Sequence, residues 1–132
     1  MAKSKYSIPC PTESAEQASL LLWANLAASR MPELNLLFAI PNGGWRTPAT
    51  AARLKREGVK AGVPDLMLPV ARGKYHGLCL ELKRRKGGHI DPAQLRWAKE
   101  LTAQGYFHCF CSGWHEAKAV LESYLDGKMI KQ

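Results

Sequence analysis

The spacing of apolar residues changes several times along the chain, and each change predicts an element. From Glu13 to Ser29 there is no proline or glycine, and Leu20, Leu21, Trp23, Ala24 and Ala27 recur near the helical period. Thr12 stands where an N-cap belongs, so this stretch predicts an amphipathic helix that Pro32 closes. LNLLFAI (34–40) is a short apolar run ending in the turn signal PNGG, which predicts a strand. A second helix is expected over Pro48 to Glu57, capped by Thr47, started by Pro48 and stopped by Gly58. Two strands follow, Asp65 to Val70 and Gly77 to Lys83, joined by the turn ARGKYH. Asp91 or Pro92 opens a long helix, PAQLRWAKELTAQ, which Gly105 stops. YFHCFC reads as a strand, and a last helix is expected over Glu116 to Leu125. The order αβαββαβα predicts a mixed α/β domain with a central sheet flanked by helices.

One strand carries more than a core face. In GLCLELK, alternation sends Leu78, Leu80 and Leu82 to one side and Cys79, Glu81 and Lys83 to the other. The leucine side is the expected core face. Glu81 and Lys83 are then expected side by side on the opposite surface, roughly 6 to 7 Å apart by strand rise. Asp65 begins the preceding strand, where hairpin pairing would bring it beside Glu81. Two carboxylates and a lysine would converge. Hard oxygen ligands of this kind suit Mg²⁺ or Mn²⁺, with water and substrate phosphate completing the shell. A neighbouring lysine can orient an attacking water or stabilise the charge that builds on a phosphate under attack. Glu-x-Lys alone is a common decoration of a solvated strand. Pro64-Asp65 on the adjacent predicted strand of a basic chain changes its meaning toward phosphodiester hydrolysis.

Charge and length agree. The 132 residues include 19 Lys and Arg against 11 Asp and Glu, a formal charge of +8, which favours polyanionic partners such as nucleic acid. No apolar run is long enough to span a membrane, and MAKSKYSIPCPTES lacks the apolar segment of a secretory signal. A cytoplasmic protein is expected, with residues 1–11 an irregular leader and 12–132 a single domain. Its cysteines, Cys10, Cys79, Cys109 and Cys111, make no CxxC pair and read as reduced thiols, with Cys109 and Cys111 small buried hydrophobes rather than zinc ligands.

VPD with ELK resembles the PD-(D/E)xK nuclease signature. More narrowly, PNGG, LKREGVKAGVPDL, GLCLELKRRKGG and DPAQLRWAKELTAQGY, in this order, resemble the VRR-Nuc family in its small stand-alone, phage-type form. The likeness spans roughly residues 12 to 125. It implies a restriction-endonuclease-like core, a divalent metal (Mg²⁺ or Mn²⁺), and cleavage of DNA, often branched or flapped. Stand-alone members resemble Holliday junction resolvases and act as homodimers. Carried onto this chain, the resemblance makes Asp65 and Glu81 metal ligands, with the Leu80 carbonyl a further one. Lys83 becomes the catalytic lysine and Gln94 a glutamine near the active site. The family also places a glutamate on the first helix. Glu13 fits the pattern of Glu followed by Gln four residues later, here Gln17, and Glu16 is the alternative. Either could instead serve only the helix dipole.

Two other readings stay open on the sequence: a DNA-binding module without catalysis, and a nuclease acting on RNA. Trp23 and Trp97 sit among leucines at helical spacing and read as core. Trp45, just after PNGG, is harder to place in a core and offers a face for an unpaired base. His76, His89, His108 and His115 show no metal-ligand spacing.

Overall fold

The computed structural model describes residues 9–41 and 46–128. Most of PNGG and the candidate base platform Trp45 therefore lie outside the described residues, as do residues 1–8 of the expected leader. The elements are helix α1 (Glu13–Ala27), a 3₁₀ helix (Pro32–Leu36), β1 (Phe38–Ala39), α2 (Pro48–Arg56), β2 (Leu66–Leu68), β3 (Leu78–Lys83), α3 (Pro92–Ala103), β4 (Phe107–Ser112) and α4 (Trp114–Leu125). The strands form one mixed sheet in the order β1-β2-β3-β4, antiparallel except for the parallel pair β3 and β4. The mixed α/β architecture predicted from periodicity is the one observed.

Local chemistry accounts for most boundaries. The Thr12 hydroxyl accepts from the Ala15 amide at 3.1 Å, and the Thr47 hydroxyl accepts from Thr50 at 3.2 Å, so both expected N-caps are made. Asp91 caps α3 through a reciprocal box with Gln94. Gly105, at φ +93°, takes the left-handed turn that ends the same helix.

One predicted strand is corrected. LNLLFAI begins as a 3₁₀ turn, and only Phe38 and Ala39 join the sheet. Leu34 and Leu37 are both buried and three residues apart, the repeat of a 3₁₀ helix. Pro32 sits at the start of that turn rather than merely beyond α1. At the other end of the chain, α4 starts at Trp114, two residues before its expected start, because of a cap supplied from α1.

The leucine face is the main core. Leu66, Leu68, Leu78, Leu80, Leu82, Phe107 and Cys111 pack against Leu20 and Ala24 of α1 and Ala117, Leu121 and Tyr124 of α4. The Tyr124 hydroxyl donates to the Val70 carbonyl, so the ring buries no unsatisfied group. Burying one such leucine fully is worth about 2 kcal/mol, so this face supplies much of the drive to fold.

The second face of β3 is also buried, against expectation. Glu81 is 0% exposed rather than standing on a solvated surface. A parallel pair is normally covered on both sides; here Gln94 of α3 and His108 of β4 lie against the carboxylate. No helix among the described residues is long and apolar enough to cross a membrane.

Candidate active site

The site begins with strand register. β2 pairs with β3 through Leu66↔Leu80, so Asp65, one position earlier, falls opposite Glu81, one position later. The expected convergence of the two carboxylates is present. Asp65 Oδ2 accepts from the Leu82 amide at 2.8 Å, which ties the carboxylate to β3. Burial pushes its acid up to about 6. The Leu82 hydrogen bond opposes that rise, the charges of Glu81 and Glu13 add to it, and Lys83 works against it. Asp65, Glu81, Glu13 and Lys83 thus share one electrostatic neighbourhood.

The approach of the Asp65 segment is set from α3. Trp97 Nε1 donates to the Ala61 carbonyl at 3.1 Å. Next to it, Gly62 has φ +89°, and a Cβ there would lie 2.7 Å from the Ala93 carbonyl carbon. Only glycine meets both demands, so the chain reaches Pro64-Asp65 pressed against the start of α3.

Gln94 joins the remaining groups. Its Nε2 donates to Glu81 Oε1 at 3.1 Å, while its Oε1 accepts from Lys83 Nζ at 2.8 Å and from the Asp91 amide at 2.9 Å. One amide therefore caps the helix and orients both strand residues. Lys83 Nζ also stands 3.9 Å from Glu13 Oε1.

The two candidate helix glutamates part company. Glu13 is exposed and lines the same cleft as Asp65, Lys83 and Gln94. Glu16 is 1% exposed and turned elsewhere: its Oε2 accepts from the Trp114 amide at 2.7 Å, and its Oε1 lies 3.1 Å from Arg85 Nε. Glu16 thus caps α4 and pins the basic run after β3. The α4 boundary moves for this reason.

The cleft has a volume of about 890 Å³, and Thr12, Gln17, Arg84 and His89 complete the relevant part of its wall. Glu81 and Leu80 do not line it; Glu81 lies beneath Gln94, and Leu80 sits in mid-strand between Leu66 and Cys109. Among the described residues, no three His, Cys, Asp or Glu side chains cluster as a metal cage. Trp97 and Trp23 are half-buried rather than deep core, and Lys118 Nζ lies over the Trp23 ring at 5.7 Å. Cys79 and Cys111 are buried, and Cys109 is half-buried.

Comparison with known proteins gives this constellation its context. A model of the VRR-NUC domain matches residues 9–114, which contain every residue of the site. The chain belongs to the VRR-NUC domain family. A solved structure of a VRR_NUC domain protein aligns with TM-score 0.75 and 30% identity, covering 90% of this chain and 92% of that one. No curated protein matches the sequence. VRR-NUC domains are of nuclease type, and the four-stranded sheet flanked by helices is that of the family.

Sequence reasoning missed two features of this VRR-NUC site. Arg85 and Glu16 meet from positions far apart in the chain. His108 comes to lie 3.7 Å from Glu81 through the parallel pairing of β3 and β4. Alternation in HCFC puts His108 and Phe110 on one face, but only the register shows that it is the face of Glu81.

Proposed function

We propose that the protein is a Mg²⁺- or Mn²⁺-dependent DNA endonuclease that hydrolyses phosphodiester bonds, with a preference for branched DNA such as four-way junctions or flaps, acting as a homodimer. The observation that carries this reading is the Gln94 amide, which links a buried carboxylate, Glu81, to the Lys83 ammonium beside Asp65. A buried carboxylate is costly unless its partners satisfy it. Glu16 meets the Trp114 amide and Arg85, whereas Glu81 meets a glutamine that also holds a lysine, with a second carboxylate opposite, one position before β2.

The donor set fits a hard dication. Two carboxylates, Asp65 and Glu81, stand at opposed strand positions, and the Glu81 charge raises the Asp65 acid. Mg²⁺ ordinarily takes one or two carboxylates and fills its shell with water and phosphate oxygens, so a three-residue cage is not required. Asp65 and Glu81 are the side chains that would hold it; the Leu80 carbonyl, in mid-strand between Leu66 and Cys109, does not line the cleft. Such an ion, when bound, activates a water and neutralises charge on the scissile phosphate.

The chain's own residues do the rest. Lys83, held by Gln94, presents a compact positive charge to the phosphate and orients the attacking water. That water's oxygen bonds to phosphorus as one P–O ester bond breaks; its proton passes to solvent, and solvent returns one to the leaving sugar oxygen. Glu13 adjoins the lysine and steadies it. The exposed Arg84 and Lys86 lie at the end of β3, and Arg84 lines the cleft, which suits a grip on flanking phosphates.

The test is cleavage of labelled four-way junction, flap, linear duplex and RNA of matched length, with Mg²⁺, Mn²⁺ or EDTA. Cleavage of the DNA substrates, absent in EDTA and absent in Glu81→Gln, supports the reading. Metal-independent cutting, or cutting confined to RNA, overturns it.

A further inference from the structure

The described residues contain few buried polar atoms without a hydrogen-bond partner, and two of them face each other. Glu81 Oε2 and His108 Nε2 are both buried and unbonded, and they lie 3.7 Å apart. The two side chains are 0% and 3% exposed, so no solvent competes for either atom. Their placement follows from the sheet. In the parallel pair, Cys79 stands beside His108 and Glu81 beside Phe110, so His108 reaches Glu81 along the diagonal of one face. The edge of Phe110 packs on the imidazole, with ring centroids 4.8 Å apart, and limits how the ring can turn.

We infer that His108 is a positioning residue for Glu81: its Nε2–H closes onto Oε2 while Gln94 holds Oε1, so the carboxylate is clamped from both sides. The inference rests on the reading of Glu81 as a metal ligand. It goes further by naming what fixes the rotamer of that ligand. Gln94 alone leaves Oε2 in a pocket without a donor, and an unmade hydrogen bond on a buried charge is expensive. A donor on β4 supplies what is missing, with a shift of about 0.5 Å between the two side chains closing the 3.7 Å gap to hydrogen-bond length. Carboxylates that ligate metals are commonly held by such partners, whose loss weakens metal affinity by about 10- to 100-fold. His108 does not line the cleft with Asp65 and Lys83, so it acts through Glu81 and not on substrate.

The experiment compares wild type with His108→Gln and His108→Phe. Glutamine keeps an N–H near the place of Nε2, and phenylalanine keeps the ring shape and drops the donor. Mn²⁺ affinity is measured by calorimetry on the DNA-free proteins, with thermal melting in EDTA as the check on folding. In parallel, ¹⁵N spectra of the wild-type imidazoles report whether Nε2 of His108 carries a proton. The expected result is at least tenfold weaker Mn²⁺ binding in His108→Phe, recovery to within about threefold in His108→Gln, and a protonated Nε2 in wild type. Equal Mn²⁺ affinity in all three proteins overturns the inference and leaves the nuclease reading standing. An unprotonated Nε2 overturns it as well. A wild type that binds no Mn²⁺ defeats both.

Discussion

Lys83 Nζ donates to Gln94 Oε1 at 2.8 Å, and the same side chain hands its other end to Glu81. The amide is thus the common support of a lysine and a carboxylate that sit two positions apart on β3. Gln94→Ala removes both contacts and half of the capping box of α3. The expected outcome is a fall in cleavage rate of about tenfold or more, with a stability loss of about 1 kcal/mol from the cap. Single-turnover kinetics and urea unfolding on the same preparation measure the two effects. A loss of stability with an unchanged rate would reduce Gln94 to a helix cap.

Asp65 yields a pH prediction. Its acid is raised to about 6 in the folded, metal-free protein, mainly by burial, against an ordinary value near 3.8. A raised carboxyl binds its proton more tightly when folded, so its contribution favours the folded state below about pH 4. That contribution is lost as pH rises through about 6. In EDTA, Asp65→Asn should therefore be more stable than wild type at pH 7.5, and the gap should shrink as pH falls and close only below about pH 4. Mg²⁺ should raise the melting temperature of wild type and not of the variant. Parallel pH–stability curves for the two proteins would show that Asp65 carries no such strain.

How far these features were legible depends on how local their causes are. Thr12, Thr47, Asp91 and Gly105 mark helix ends because caps and left-handed turns are made by residues within a turn of the boundary. The alternation in GLCLELK placed the leucines, and the hairpin placed Asp65 opposite Glu81. Burial of Glu81 was not legible, because a strand does not show whether its second face meets water or a helix. LNLLFAI misled for a related reason: apolar residues at 34 and 37 fit a strand run and a 3₁₀ turn equally until the packing partner is known. The start of α4 was hidden altogether. Its cap comes from Glu16, and nothing near Trp114 in the sequence announces it.

That cap separates the two glutamates of α1. Glu16→Gln weakens a buried contact to the Trp114 amide and to Arg85, so it should cost about 2 kcal/mol of stability. It should leave the rate per folded molecule near wild type. Glu13→Gln should do the reverse, with stability within about 0.5 kcal/mol of wild type and a clear loss of rate, because Glu13 is exposed and adjoins Lys83. Denaturant midpoints and burst-normalised cleavage distinguish the two. If Glu16→Gln lost activity without losing stability, the assignment would be inverted.

Lys83 should respond to charge geometry and not only to charge. Lys83→Ala is expected to slow the chemical step by about 10²-fold or more while leaving Mn²⁺ affinity near wild type, since an ammonium does not ligate metal. Lys83→Arg should restore little, because a planar guanidinium cannot occupy the point position between Gln94 and Glu13. Calorimetry with Mn²⁺ decides the interpretation: a collapse of metal binding in Lys83→Ala would make the lysine a structural counter-charge.

Preference for branched DNA can be tested at α2. Every basic side chain of its last turn is exposed, but Arg53 is committed to Glu57 at 3.1 Å. Lys55, Arg56 and, just beyond, Lys60 are the exposed charges left to meet phosphate, and Lys60 precedes Ala61, a wall residue of the cleft. One such surface grips any duplex and cannot sense the angle between two arms. Two copies related by a two-fold axis can, because each then meets an equivalent strand of a symmetric junction. Replacing Lys55, Arg56 and Lys60 by alanine should lower affinity for DNA and make the log–log salt slope shallower by roughly 2 to 3. If α2 holds junction arms in a dimer, the loss on four-way junctions should exceed the loss on linear duplex of equal length at matched salt, and the mass in solution should be that of two chains. Equal losses on both substrates, from a protein sedimenting as a monomer, would leave a general DNA nuclease and remove the junction preference.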